Sequence, residues 1–243
     1  MAYRSSIQRY ELKYLITAAQ RRALQPVIDA HTVPDEYGKS RIANLYYDTP
    51  DRRLIRRSLE KPAYKEKLRL RSYGTPKEDS TVYLELKKKA CDVVGKRRTA
   101  MRLREVPDFL NAPATDSQIR RELAYFLSRF EDLAPAAVLC YDREAYFDRS
   151  DPDVRVTFDT DIRYRDTDLS LESGTYGTAL LDPDTVLLEV KVGCAMPLWL
   201  AKELSRLGIR QTSFSKYGRA YIQMNRQNDT PKKDEVSSYA LPV

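Results

Sequence analysis

Tyr64-Lys-Glu-Lys-Leu-Arg-Leu-Arg-Ser-Tyr73 alternates with a period of two. In an extended strand successive side chains point to opposite faces, so Lys65, Lys67, Arg69 and Arg71 share one face and Leu68 and Leu70 the other. The apolar face marks a strand with one side buried. Taken alone, the other face reads as an ordinary solvated surface; that reading weakens where the same split recurs on strand after strand, because such surfaces mix Thr, Ser, Gln, Lys and Glu. Like charges on neighbouring positions repel, so a row made only of cations calls for an anion.

The same split recurs along the chain. Gln8 to Ile16 puts Arg9, Glu11 and Lys13 opposite Tyr10, Leu12 and Tyr14. Thr81 to Lys89 puts Glu85 and Lys87 opposite Leu84 and Leu86, and Lys96 to Arg104 adds Lys96 and Arg98, or Arg97 if the register slips. Ala137 to Phe147 carries Arg143 beside Tyr141, Asp153 to Asp159 sets Arg155 against Val154 and Val156, and Thr185 to Val192 sets Glu189 and Lys191 against Leu188 and Val190. Residues 41–48 and 162–165 read as further strands. Helical spacing appears after Thr17, where a capping box opens a helix limited or kinked by Pro26. It also appears over 51–59, 117–130, 197–207 and 213–224.

Seven to nine strands with short connections favour an antiparallel sheet, because parallel pairing needs a helix after each strand. The expectation is one α+β domain over residues 1–224, its sheet folded into a barrel or sandwich, followed by a disordered tail over 225–243. Closing such a sheet with the charged faces inward makes a basic tunnel. Net charge is +7, from 42 basic and 35 acidic residues, which suits a polyanionic partner without naming one. No apolar run approaches the ~20 residues of a membrane span, and the N-terminus lacks a signal-peptide core. A cytoplasmic location is expected. Cys91, Cys140 and Cys194 form no CxxC, which argues against a disulfide framework or zinc site. The single histidine, His31, removes most His-based catalysis.

A phosphate chain matches the cations: Arg offers a planar fork to phosphate oxygens and Lys a compact charge. Glu11, Glu85 and Glu189 fit such a lining if a hard divalent ion accompanies the anion, or if they pair with neighbouring Lys and Arg.

These residues, in order, resemble the triphosphate tunnel metalloenzymes, and within them the VTC-type polyphosphate polymerase domain. Carrying the resemblance are Arg9-Tyr-Glu11-Leu-Lys13, Tyr46-Tyr47-Asp48-Thr49, Lys67-Leu-Arg69-Leu-Arg71, Glu85-Leu-Lys87, Tyr141-Asp-Arg143, Arg155, Glu189-Val-Lys191 and Ser213-Phe-Ser-Lys216-Tyr217. The resemblance implies an antiparallel eight-stranded β-barrel tunnel with flanking helices, holding ATP, polyphosphate and Mn²⁺ or Mg²⁺. It implies catalytic roles for Arg69, Arg71, Lys87, Arg143 and Arg155, phosphate binding by Lys13, Lys67, Arg98, Lys191 and Lys216, and metal binding by Glu189, with Glu11 and Glu85 as further carboxylates. Arg9 stands where the hydrolases and cyclases of that superfamily have the first Glu of ExExK, which favours polymerase over hydrolase. SPX and membrane segments of eukaryotic members are not present, so a membrane-protein partner would come from another chain.

Two other readings compete, a triphosphate hydrolase and a non-catalytic polyanion-binding module. Nucleic acid is not expected, because most aromatics alternate to the face opposite the cations and would not be free to stack with bases. His31 and Trp199 read as structural, Tyr46 and Tyr47 as packing residues, and Asp48 as a turn cap. Arg52, Arg53, Arg56 and Arg57 read as a solvated helix face that could also meet acidic lipid or emerging polyphosphate.

Overall fold

The computed structural model describes residues 10–90, 93–130 and 132–229; Arg9 and Cys91 lie outside them. The strands are β1 (Tyr10–Thr17), β2 (Thr32–Asp48), β3 (Tyr64–Tyr73), β4 (Thr81–Ala90), β5 (Val93–Arg102), β6 (Ala134–Asp148), β7 (Arg155–Arg165), β8 (Thr178–Ala179) and β9 (Thr185–Val192). The helices are α1 (Ala18–His31), α2 (Arg53–Leu59), α3 (Val106–Asn111), α4 (Gln118–Ser128), α5 (Leu198–Arg206) and α6 (Lys216–Asp229).

All the strand pairings are antiparallel. The strand order is β1-β9-β7-β6-β2-β3-β4-β5, an eight-strand path, with β8 paired to β7 off it. The eight-stranded antiparallel expectation holds. Closure differs from the expected barrel: among the described residues no backbone ladder joins the outer strands β1 and β5. Instead Lys87 of β4 reaches across to Glu11 of β1, with Nζ 3.1 Å from Oε2. The seam is bridged by side chains.

The apolar faces point outward, under helices. Leu12, Tyr14 and Ile16 of β1 and Leu188 and Val190 of β9 pack under Leu24 and Ile28 of α1 and Leu200 and Leu204 of α5. Leu68 and Leu70 of β3 and Leu84 and Leu86 of β4 pack under α3 and α4 through Val106, Phe109, Leu123 and Phe126. Each fully buried Leu of this kind contributes about 1.5–3 kcal/mol. On the charged side, Tyr217, Ala220 and Met224 of α6 and Ile55 of α2 cover Ile42, Tyr46, Leu139, Tyr141, Ile162 and Leu187. That helix therefore fills part of the concave side.

Several elements depart from the reading of the sequence. The strand expected at 41–48 begins at Thr32, because β2 pairs with β6 on both sides of an irregularity between Pro34 and Lys39. The two strands expected over 153–165 are one, β7, in which Asp161 takes a positive φ of 45°. Helix α1 continues through Pro26 to His31. Helix α6 runs to Asp229, past the Asn225 at which the tail was expected to start; residues 230–243 lie outside the described residues. Short β8 and α3 carry no periodic signal and were not expected.

His31 stacks on Trp199 with ring centroids 4.7 Å apart, and the Trp199 indole donates to Asp148 Oδ2 at 2.9 Å, in keeping with their structural reading. Asp48 does more than cap a turn. Its carboxylate accepts from the backbone N–H groups of Thr49, Leu54 and Ile55 and from the Tyr217 hydroxyl, at 2.8–3.0 Å. One buried carboxylate thus ties the end of β2 to the start of α2 and to α6. Asp48→Ala leaves those donors without their acceptor and should destabilise the protein by about 2–4 kcal/mol. A lowered urea midpoint with unchanged slope checks this, and an unaltered midpoint refutes it.

Candidate functional site

The strand registers stack the tunnel-facing residues into rows. On one wall Arg155, Lys191 and Glu11 lie side by side across β7, β9 and β1, and Thr157, Glu189 and Lys13 form the next row. On the other wall Lys67 faces Lys87 and Lys96, and the next row holds Tyr46, Arg69, Glu85 and Arg98. Asn44, Arg71 and Tyr83 make the third. The pairing of β4 with β5 settles the ambiguous basic triplet: Lys96 and Arg98 join the site, while Arg97 bonds Glu122 of α4 at 2.8 Å.

Two carboxylate centres organise the cations. Glu189 Oε2 accepts from Arg143 Nη2 at 2.9 Å, and its Oε1 lies 3.0 Å from Lys216 Nζ and 3.6 Å from Lys13 Nζ. Beside it Asp159, fully buried, takes both Nε and Nη2 of Arg143 at 2.5 and 2.6 Å and Lys216 at 2.5 Å. Glu85, 1% exposed, faces Arg69 at 2.8 Å, Lys96 at 2.6 Å, Arg98 at 3.6 Å and Arg71 at 3.8 Å. Burial alone would raise these two glutamates. Lys216, Lys13 and Arg143 instead hold Glu189 well below the usual carboxylate range, and Arg69, Arg71 and Lys96 do the same for Glu85.

Further partners, most of them neutral, aim the cations. Arg71 donates to Asn44 Oδ1 at 2.9 Å and to the Tyr141 hydroxyl at 3.1 Å, and Arg69 donates to the Tyr46 hydroxyl at 3.2 Å. Lys67 donates to Ser215 Oγ at 2.9 Å. Lys13 donates to the Phe214 carbonyl at 2.9 Å, which joins β1 to the segment entering α6. Arg155 pairs with Asp35 at 2.6 Å. Lys191 has no hydrogen bond or ion pair among the described residues. Burial, then the charges of Lys87 and Lys13, push Lys67 down to about 7. Burial likewise takes Lys191 to about 7, with Glu11 opposing and Arg143 adding to the shift.

Every basic residue expected at the site therefore lies on this inward-facing surface. The three expected metal ligands do not stay together. Glu11 and Glu189 share the ammonium of Lys13, at 3.0 and 3.6 Å, so a single positive charge sits between them. Glu85 is separated, because its strand pairing places it among Arg69, Lys96 and Arg98. Among the described residues no group of three His, Cys, Asp or Glu could hold a metal unaided. Two carboxylates do suit Mg²⁺ or Mn²⁺ when phosphate oxygens and water complete the shell, so Glu11 and Glu189 fit a metal bound together with substrate.

Sequence reasoning set Lys96 on the charged face without giving it a role, and passed over Asp159, Asp35, Asn44, Tyr141 and Ser215 as site residues. Asp159 shares the period of Arg155 and could have been found by following that face. Asp35 lies inside the irregular stretch of β2, where no alternation exists. The expectation that most aromatics avoid the cationic face has four exceptions: Tyr46 and Tyr141 bond its arginines, and Tyr73 and Tyr83 share the face of Arg71 and Glu85.

No helix among the described residues is long and apolar enough to cross a membrane. A search of curated proteins finds no match. Among solved structures, a candidate adenylate cyclase from Bacillus halodurans superposes with a TM-score of 0.54 at 15% identity, covering 87% of this chain and 95% of that one. A candidate adenylyl cyclase from Hippeastrum, described as having a dominant triphosphatase activity, gives 0.50 at 14% identity over 89% and 95%. At such identities the likeness shows a shared fold, the tunnel architecture. The VTC domain family matches residues 8–225, nearly the whole described chain, and the protein belongs to that family.

Proposed function

We propose that this protein is a metal-dependent polyphosphate polymerase that transfers the γ-phosphoryl group of ATP to a growing polyphosphate chain. The observation that carries the reading is the uncompensated positive charge of the tunnel. Lys191 makes no hydrogen bond or ion pair among the described residues and only feels the nearby charges of Glu11 and Glu189, Lys67 has only a serine hydroxyl, and both lie among further cations. A multiply charged anion supplies what these groups lack. The VTC family resemblance supports polyphosphate as that anion, and the Hippeastrum neighbour's triphosphatase activity keeps hydrolysis in the same tunnel as the second reading.

Phosphoryl transfer depends on positioning and charge neutralisation, because the transition state is loose and its charge lies on oxygens. Arg69 and Arg71, fixed by Glu85, Tyr46, Asn44 and Tyr141, point two guanidinium groups at one segment of the phosphate chain. Arg143 and Lys216, clamped by Asp159 and Glu189, neutralise another. Lys13, Lys67, Lys87 and Lys191 line the path between these clusters, with Arg98 and Arg155 in the flanking rows. An oxygen of the polyphosphate end attacks the γ-phosphorus in line, the bond from phosphorus to the bridging β–γ oxygen breaks, and ADP leaves. The attacking oxygen is already ionised, so no general base is required. Glu11 and Glu189 would hold Mn²⁺ or Mg²⁺, which supplies further charge neutralisation at the phosphoryl oxygens when bound.

Incubation of the purified protein with ATP and Mn²⁺, with products resolved on gels, should show polyphosphate and ADP. Orthophosphate without polyphosphate selects the hydrolase, and neither product selects the passive binder. Glu189→Gln should lower metal-dependent turnover on the order of a hundredfold or more, while ATP affinity changes far less. Equal losses in both would reject the assignment of this carboxylate to the metal.

Proton linkage gives an independent check. In the free protein Lys67 and Lys191 are depressed to about 7, and a bound polyanion favours their charged forms, so their affinities for protons rise on binding. Binding above pH 7 should therefore take up protons, and affinity should fall as pH increases from 7 toward 9. Calorimetry of tripolyphosphate binding in buffers of different ionisation enthalpy measures the uptake. Zero uptake at pH 8 would contradict it.

A further inference from the structure

At the start of β7 the cationic rows meet a carboxylate of the protein's own. Arg155, the first residue of that strand, lies in the row of Lys191 and Glu11, and its Nη2 donates to Asp35 Oδ2 at 2.6 Å. That grip is partial. Asp159 takes Arg143 through both Nε and Nη2, whereas Arg155 Nε is buried without a hydrogen-bond acceptor. The Arg155 guanidinium lies 4.9 Å from the centre of the Phe147 ring, and the charges of Arg143 and Arg71 act on it together with that of Asp35. A guanidinium in such surroundings suits an anion that fills the whole fork, and Asp35 holds one prong of it.

Asp35 is carried on backbone that the sheet does not fix. β2 pairs with β6 at Pro34, opposite Tyr146, and again at Lys39, opposite Glu144, so residues 35–38 face the single residue Ala145 and have no partner in that ladder. On its other side β2 pairs with β3 only from Ile42 onward. Gly38 takes a φ of 54°, and nothing lies within 4 Å of the place a Cβ would occupy. The segment can shift between two anchored ends and carry its carboxylate away from Arg155.

We propose that Asp35 is an internal competitor for the substrate, its carboxylate occupying Arg155 in the free protein and giving way when a phosphate chain reaches that guanidinium. Phosphate oxygens offer the same charge-assisted bond and fill both prongs of the fork, Nε included. An anion gains Arg155 only by breaking the Asp35 contact, so its affinity is lowered by the fraction of molecules in which that contact is made. The proposal rests on the reading of the tunnel as a phosphate-chain site and adds a regulation of it: Asp35 holds affinity below what the cations alone would give.

Calorimetry of tripolyphosphate binding with Mg²⁺ tests this on the wild-type chain, on Asp35→Asn, on Glu36→Gln, and on Arg155→Met with and without Asp35→Asn. Asp35→Asn keeps the shape of the side chain, Arg155→Met keeps an apolar stem against Phe147, and circular dichroism verifies each fold. Asp35→Asn should tighten binding by about three- to thirtyfold. Glu36→Gln removes a charge from an exposed position of the same segment and should change affinity by less than about twofold. In the Arg155→Met background Asp35→Asn should gain no more than that, because the contact it breaks is already gone. Unchanged or weakened binding in Asp35→Asn overturns the competitor. An equal gain from Glu36→Gln, or from Asp35→Asn in the absence of Arg155, also overturns it, since the loss of any nearby acid would then explain the effect. Each of these results leaves the triphosphate tunnel standing, whereas failure of both wild type and Asp35→Asn to bind tripolyphosphate overturns both readings.

Discussion

A protein interior that collects positive charge must offset it, and the organisation of this fold follows from that requirement. Charges removed from water cost far more than surface ions unless they are paired and hydrogen-bonded. The concave face meets the cost with few carboxylates, each shared among several cations. Glu85 serves Arg69, Lys96, Arg98 and Arg71, while Glu189 and Asp159 together serve Arg143 and Lys216. Where sharing runs out, at Lys67 and Lys191, burial lowers proton affinity instead. The free protein thereby lessens its own internal repulsion and keeps a reserve of charge that a bound anion would call up.

The sheet can bear this load because its apolar packing lies elsewhere. Barrels of this size ordinarily fill their interiors with side chains, whereas here much of the apolar packing lies outside, between the convex face and α1, α3, α4 and α5. α6, with Ile55 of α2, Leu180 and Phe214, brings apolar groups to the concave side, and its first residue, Lys216, belongs to the charge network. The same helix is fixed at the Asp48 carboxylate through Tyr217. Site geometry and tertiary packing are coupled through adjacent residues of one helix.

The parts of this arrangement that could be read from the chain are those governed by local alternation. Strands β3 and β9 obey a strict two-residue period, and their inward charges were evident before any pairing was known. Three consecutive basic residues at Lys96, Arg97 and Arg98 have no intrinsic phase; only pairing with β4 decides that two turn inward and one meets Glu122. The first half of β2 contains Pro34, Gly38 and a shift in register, so neither its extended form nor the partnership of Asp35 with Arg155 has a local signature. The separation of Glu85 from Glu11 and Glu189 depends on strand order, which no single segment encodes. Tyr73 and Tyr83 escaped notice because the alternation was followed through cations, although they obey the same period.

The pairing of β1 with β9 has a consequence in time as well as in space. Tyr10 lies against Val192 and Thr17 against Thr185, so the earliest described strand to leave the ribosome has its hydrogen-bonding partner among the last. Until β9 has been synthesised, Leu12, Tyr14 and Ile16 have no neighbouring strand to complete the surface beneath α1 and α5. Ladders between such distant segments form slowly, because chain entropy must be lost before any contact is gained. The middle strands, β2 to β7, can assemble earlier through nearer partners. Glu11, Lys13, Glu189 and Lys191 take their places only with that final ladder, so the half-built chain carries no complete anion site, and capacity to bind arises together with the finished fold.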